Sequence, residues 1–298
     1  MATLVTCLAH IQSCDTSATY ECGLFLTTNE SNQRETLEKL SRQQVVGNTA
    51  IGVSGFFILN AVTALGSKTA SGGKIRNIIV IDCSKRVKCF WEHMKAILSR
   101  ASDRFEARHM IIHDLAECQF SYWPETLCPE LRSESAIQQL SKEIEDGTSF
   151  LSSDEKFAMV HQIAICGNLE FKLVNLFEFK TFEQMKSALD ANGRTIALMY
   201  TSNVSEFATK TVHSQNPAAD YGCNEVDETK ALGFLTSTSL LVAQETLLIH
   251  TCSTPQGEFQ KIMRRTKTTD RPSATDQSIL MIARETFSWQ YTEAHGVK

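Results

Sequence analysis

Proline and glycine are scarce in this chain, at 5 and 14 of 298 residues. With 42% of residues hydrophobic, that excludes a collagen-like, proline-rich or wholly disordered polypeptide. Basic charge is not in excess either. The 29 Lys and Arg residues are outnumbered by 34 Asp and Glu, a formal net charge of −5, so no bulk attraction draws the chain to nucleic acid or an anionic membrane. None of the 10 cysteines forms a C-x-x-C pair, and a zinc site of the usual spacing is not expected. A chain this large needs no disulfide staples. Reduced thiols are expected, with Cys83, Cys89 and Cys166 as small buried hydrophobes. The first ten residues lack Lys, Arg and any long apolar stretch, unlike a secretory signal. The most apolar segment, 49–65, is interrupted by Asn60 and Thr63 and is too short to span a bilayer. These absences lead to the expectation of a soluble, cytoplasmic protein with no bound metal and no membrane partner. The oligomeric state is not legible.

What is present is a regular alternation. Asn32 with Glu35 resembles a capping pair that opens a polar helix toward Gln44. Residues 48–53 are a short β-branched and apolar run ending in Gly52-Val53-Ser54-Gly55, and 56–65 is apolar and helical in length. Residues 75–81 form a strongly β-branched strand that stops at Asp82, and Ser84 can cap the helix that follows. There Val87, Phe90, Trp91, Met94, Ile97 and Leu98 recur on one helical face. Residues 105–148 are less regular: Met110-Ile111-Ile112 suggests a strand and 133–145 a polar helix, the whole reading as an insertion or lid over about 105–150. Ser152 with Glu155 forms a capping box for a helix that stops at Gly167. The alternating run 169–174 predicts a half-exposed edge strand. Thr181 with Gln184 opens a further helix that closes at Gly193, and 195–200 reads as a buried central strand. Strand 245–251 follows, with last elements at 278–283 and 286–291.

Strands separated by helices predict a doubly wound, mostly parallel α/β sheet with helices on both faces. The exposed third strand and buried fourth fit the order 3-2-1-4-5. The division expected is an N-terminal helical extension, 1–45, and a Rossmann-type domain, 46–298. In such folds ligands bind beyond the C-terminal strand ends, where the order reverses between strands one and four. Four segments should meet there: the turn Gly52-Val53-Ser54-Gly55, Asp82 with Cys83, Asn175-Leu176, and Tyr200-Thr201-Ser202-Asn203. Glycines let a backbone approach a cofactor, the following helix offers N–H groups, and a carboxylate at Asp82 can accept from ribose hydroxyls.

Over about residues 49–251 these segments resemble the class I S-adenosylmethionine-dependent methyltransferases, most closely in Asp82-Cys83-Ser84 and the Phe90-Trp91 helix. The resemblance implies S-adenosylmethionine as cofactor. Gly52, Ser54 and Gly55 would hold its methionine part, Asp82 and Cys83 its ribose, and Asn175 and Leu176 its adenine. Thr201 and Ser202 would lie beside the sulfonium, with Tyr200 and Asn203 at the reacting group of a small-molecule or protein acceptor. The chain departs from the family where Thr49, Ala50 and Ile51 stand in place of an acidic residue before the turn, and where Asn175 stands in place of Asp. Those departures keep open a degenerate member of the fold that acts as a protein-interaction module. A nicotinamide-dependent oxidoreductase is a further alternative, although the 27 residues from Gly55 to Asp82 exceed the roughly 20 of the dinucleotide fingerprint. Plainer readings stand beside these. The glycines could serve only a tight turn, Asp82 a helix terminus, and Asn203 a turn. His93 should be solvated, Phe90-Trp91 core, the Lys261, Arg264, Arg265 and Lys267 cluster a solvated face, and His113-Asp114 a strand-borne pair on opposite sides.

Overall fold

The structure, a computed structural model, describes residues 26, 32–66, 74–117, 133–202, 204, 228–242, 245–254 and 257–264. In chain order these form α1 (Gln33–Leu40), β1 (Thr49–Val53), α2 (Phe57–Leu65), β2 (Asn77–Asp82), α3 (Lys85–Arg100), α4 (Arg104–Glu117) and α5 (Ser133–Glu145). Then come α6 (Asp154–Ile165), β3 (Leu169–Leu173), α7 (Phe179–Ala191), β4 (Ile196–Ser202), α8 (Glu228–Leu241), β5 (Leu247–Thr254) and β6 (Gly257–Arg264). The sheet has the order β3-β2-β1-β4-β5-β6. The first five strands are parallel, and β6 returns antiparallel along β5. The chain thus starts in the middle, runs out to β3, and resumes on the other side of β1. Right-handed crossovers then put α2, α3 and α6 on one face and α7 and α8 on the other. The contacts agree, since α6 touches both α2 and α3 while α7 packs on α8.

Burial follows strand position. Every residue of β1 and β2 is buried, which suits strands covered on both faces. In β3 only Leu169 is buried, as an edge permits. The α3 face read from the sequence is wholly inside: Val87, Phe90, Trp91, Met94, Ile97 and Leu98 are all buried. Between α2 and the end of α5 a polar contact is buried. Asn60 Nδ2 donates to Glu143 Oε2 (3.2 Å) while Asn60 Oδ1 accepts the Phe150 N–H (2.8 Å). The described part of the 105–150 stretch is therefore fastened to the helix layer, with α4 also packed on α3.

Several expectations are corrected. Met110-Ile111-Ile112 lies inside α4, not in a strand. Ala107, Ile111 and Leu115, four residues apart, are its buried positions. The cap of α6 is Ser153, one residue later than the capping box, and it accepts from Lys156 N–H. Helix α7 begins at Phe179, ahead of Thr181. Cys89 and Cys166 are exposed and Cys83 is half-buried, so none of the three is a buried hydrophobe. Asn32 makes no side-chain cap. Its amide is used elsewhere: Nδ2 donates to the Gln260 carbonyl (2.9 Å) and Oδ1 accepts the Gln260 N–H (2.7 Å), so the side chain pairs with the outer side of β6 as a peptide would. The elements expected at 278–283 and 286–291 lie outside the described residues. Among the described residues no helix is long and apolar enough to cross a membrane.

Candidate functional site

The strand order reverses between β1 and β4, and the ends of β1 and β2 are stitched together beside that point. Ser54 adopts φ 60°, a left-handed conformation uncommon outside glycine. Two contacts hold it there. Its N–H donates to the Asp82 carboxylate, and its carbonyl accepts the Trp91 indole N–H at 2.6 Å. Trp91 is itself fixed by edge-on packing against Phe56 and Phe90, with ring centroids 6.0 and 5.6 Å away. The β3 end joins the same seam, because the Asp82 carbonyl accepts the Val174 N–H (2.9 Å).

Asp82 is buried, and burial pushes its carboxyl from 3.8 up to about 6, against the pull of N–H groups from Ser84, Ser54 and Cys83. The Ser84 bond is 2.9 Å long. A carboxylate offers about four lone-pair sites, and these three donors leave one for a ligand hydroxyl. The raised value fixes a pH dependence. The folded chain retains a proton that the unfolded chain has released, so the stability from this group is full below about pH 4, falls as the pH rises to about 6, and is flat above. Asp82→Asn should flatten that slope. Urea unfolding of both proteins from pH 4 to 7 should show their difference changing by about 2 kcal/mol across the window. A constant difference would place the titration elsewhere.

The glycines divide. Gly52 lies within β1, and a Cβ there would sit 2.6 Å from Ile58 Cβ and 2.8 Å from its Cγ1. Its smallness is thus demanded by the close approach of α2. Gly55 is in the turn proper and is buried. The next residue, Phe56, donates its N–H to the Leu26 carbonyl at 2.6 Å. Beyond β3, Asn175 Oδ1 accepts the Phe177 N–H (3.1 Å), forming a local Asx turn, and Leu176 is buried. At the β4 end the register with β5 slips between Tyr200 and Ser202, leaving Thr201 as the extra residue of a bulge. Ser202 then takes φ 49°. Tyr200 is buried with its ring 4.4 Å from Phe57, beside the start of α2. Thr201 points the other way, donating to the Ile249 carbonyl (3.3 Å) and lying 2.9 Å from His250 Nδ1. Asn203 lies outside the described residues.

The geometry therefore gathers Ser54, Gly55, Asp82 and Cys83, with Asn175 and the β4 bulge at the neighbouring strand ends. Sequence reasoning missed Trp91's grip on Ser54, Leu26 and His250, all joined to the site only through space. It also missed that His93 is not merely solvated. Its Nδ1 meets the Asp114 carboxylate at 2.9 and 3.1 Å, joining α3 to α4. His113 and Asp114 are both on α4 and are not a strand-borne pair. Among the described residues no three His, Cys, Asp or Glu side chains gather as a metal set.

Order, turn and bulge define a doubly wound, Rossmann-like α/β protein. A family model described as a domain of unknown function (DUF7790) matches residues 76–216. No curated protein matches the chain. Among solved structures it is similar to the rRNA methyltransferase aviRa from Streptomyces viridochromogenes, at 12% identity and a TM-score of 0.38, over 90% of this chain and 91% of that one. It is also similar to the glycopeptide N-methyltransferase MtfA complexed with S-adenosylmethionine, at 12% identity and a TM-score of 0.29, over 87% of this chain and 84% of that one.

Proposed function

We propose that this chain binds S-adenosylmethionine across the ends of β1, β2 and β3 and supports methyl transfer to an acceptor approaching over the end of β4. The observation that carries the reading is Asp82 taking the Ser54 N–H, which brings the strained turn and the acid together beside the reversal of strand order. The residues fit the group in part. Asp82 keeps a lone-pair site for one ribose hydroxyl, the half-buried Asn175 has an Nδ2 donor not used by its turn, and Gly55 presents backbone to the methionine part, the backbone groups of Ser54 being taken by Asp82 and Trp91. The cofactor supplies an already activated methyl on its sulfonium, so the protein's share is alignment and exclusion of water. On this reading Tyr200, with its ring against Phe57 at the start of α2, and the backbone of Ser202 would border the reacting side. No general base is required of the described residues for that share.

A second reading, the fold kept as an interaction module without the chemistry, is favoured by one specific observation: three backbone N–H groups already occupy Asp82. Calorimetric titration of the full chain with S-adenosylmethionine, S-adenosylhomocysteine and NADH separates the readings. Micromolar binding of the two sulfur compounds alone is expected, weakened at least tenfold in Asp82→Asn with the circular dichroism spectrum retained. Binding of none would favour the interaction module. Binding of NADH alone would turn the assignment to a nicotinamide site.

A further inference from the structure

The two edges of the sheet are finished differently. At one, β6 turns back antiparallel and its outer side takes the Asn32 amide. At the other, β3 pairs with β2, and among the described residues no strand lies on its outer side. The inner bonds fix which backbone groups face outward. The Asn168 carbonyl accepts the Ile78 N–H and the Asp82 carbonyl accepts the Val174 N–H, each at 2.9 Å. Alternate residues of a strand turn their N–H and C=O to the same side. The backbone of Glu170 and Lys172 therefore faces β2, and that of Leu169, Phe171 and Leu173 faces away from the sheet. Phe171 and Leu173 are also only half-buried.

The side chains make this edge complementary to itself. In Leu169-Glu170-Phe171-Lys172-Leu173 a charge of each sign flanks the central Phe. We infer that β3 is where a second copy of the chain docks, antiparallel about a two-fold axis at Phe171, so that the two sheets become one. Phe171 then lies opposite Phe171 of the second copy, and Leu169 opposite its Leu173, all in pairs that exchange backbone hydrogen bonds. Glu170 lies opposite Lys172 of the second copy, twice by symmetry, in the intervening pairs where side chains approach most closely. Moving the axis to Glu170 or to Lys172 keeps the ladder in phase but sets like charges face to face, which is destabilising. Charge thus selects one register.

The local contacts suit this arrangement. Glu170 takes Arg194 at 2.6 Å and Lys172 at 3.3 Å within its own chain. A Lys ammonium has three donors, so Lys172 can serve both its own carboxylate and the one across the axis. On the opposite face, a cavity of about 220 Å³ between α3 and β3 is lined by Lys88, Trp91, Lys95 and Phe171. It lies beside the axis, where the Phe171 rings of the two copies meet. The inference is independent of the cofactor reading.

The test uses the full chain under reducing conditions, because Cys89 and Cys166 are exposed. Light scattering at about 100 μM should return the mass of two chains. Lys172→Glu sets Glu opposite Glu at both symmetric pairs, and Leu173→Pro removes an outward N–H without touching the bonds to β2. Each should raise the dissociation constant about tenfold. In the unaltered protein, hydrogen exchange at the amides of Leu169, Phe171 and Leu173 should slow as concentration rises. If circular dichroism shows Leu173→Pro unfolded, Lys172→Glu and the exchange rates decide. The mass of a single chain overturns the inference. So does a dimer whose dissociation constant is unmoved in Lys172→Glu, or whose formation leaves those three amides unprotected, since either places the contact elsewhere.

Discussion

Replacing Trp91 with alanine is expected to cost about 4 kcal/mol of stability, the range for emptying a large aromatic from a packed core. Trp91 is 2% exposed and lies against two aromatic rings that in turn cover the start of α2. The Phe56 ring also meets Phe150 at 5.3 Å, so the cavity would loosen the 147–151 turn as well. Trp91→Phe separates the two roles. It keeps the larger part of the buried side chain but removes the indole N–H bonded to the Ser54 carbonyl together with the small ring that carries it, a loss of about 2 kcal/mol. If the indole bond is what holds Ser54 at positive φ, Trp91→Phe should also lower S-adenosylhomocysteine affinity by more than its stability loss explains. Urea unfolding and calorimetry on the same samples would read both quantities. An affinity unchanged in Trp91→Phe would mean that Asp82 alone sets the turn.

The second large effect is at Gly52. A methyl there meets Ile58 Cβ at 2.6 Å and Cγ1 at 2.8 Å, distances at which β1 and α2 must part. Gly52→Ala should lose about 3 kcal/mol, the upper part of the range for overpacking a core. Ile58→Ala removes the Cγ1 contact but not the Cβ contact, so the double variant should recover only part of the loss in a thermodynamic cycle. A cost below about 1 kcal/mol would show that the strand and helix can adjust, and would return Gly52 to consideration as a ligand-facing position. The contrast with Gly55 is instructive. Both belong to one sequence motif, yet one glycine is required by packing inside a strand and the other lies in the turn.

Much of the sheet was legible because its strands announce themselves in side-chain chemistry. The run Ile78-Ile79-Val80-Ile81 can only be central, and the alternation from Leu169 to Leu173 can only be an edge. The order followed from that contrast. Strand β6 was not legible, since Gly257–Arg264 mixes Glu, Gln and Lys with apolar residues, and its place depends on pairing with β5. Helix α8 was missed because its Thr and Ser residues blur any apolar stripe; Ser237 and Thr238 are buried among its apolar residues. In α4 three adjacent apolar residues masked the spacing of Ala107, Ile111 and Leu115, a signal that was available. At the candidate site, Asp82 and the turn could be placed because they sit at strand ends. The three N–H donors on Asp82, the indole on Ser54 and the carbonyl on Phe56 come from folding the chain back on itself, and no local pattern encodes them.

The amide of Asn32 has a consequence for how the molecule is assembled. It joins positions 228 residues apart, and the entropy of closing so long a loop places that junction among the last to form. Until it closes, the Gln260 N–H and carbonyl on the outer side of β6 are without the Asn32 amide. A strand edge with open backbone groups invites edge-to-edge association, and at Gln260 a single distant side chain closes that opening.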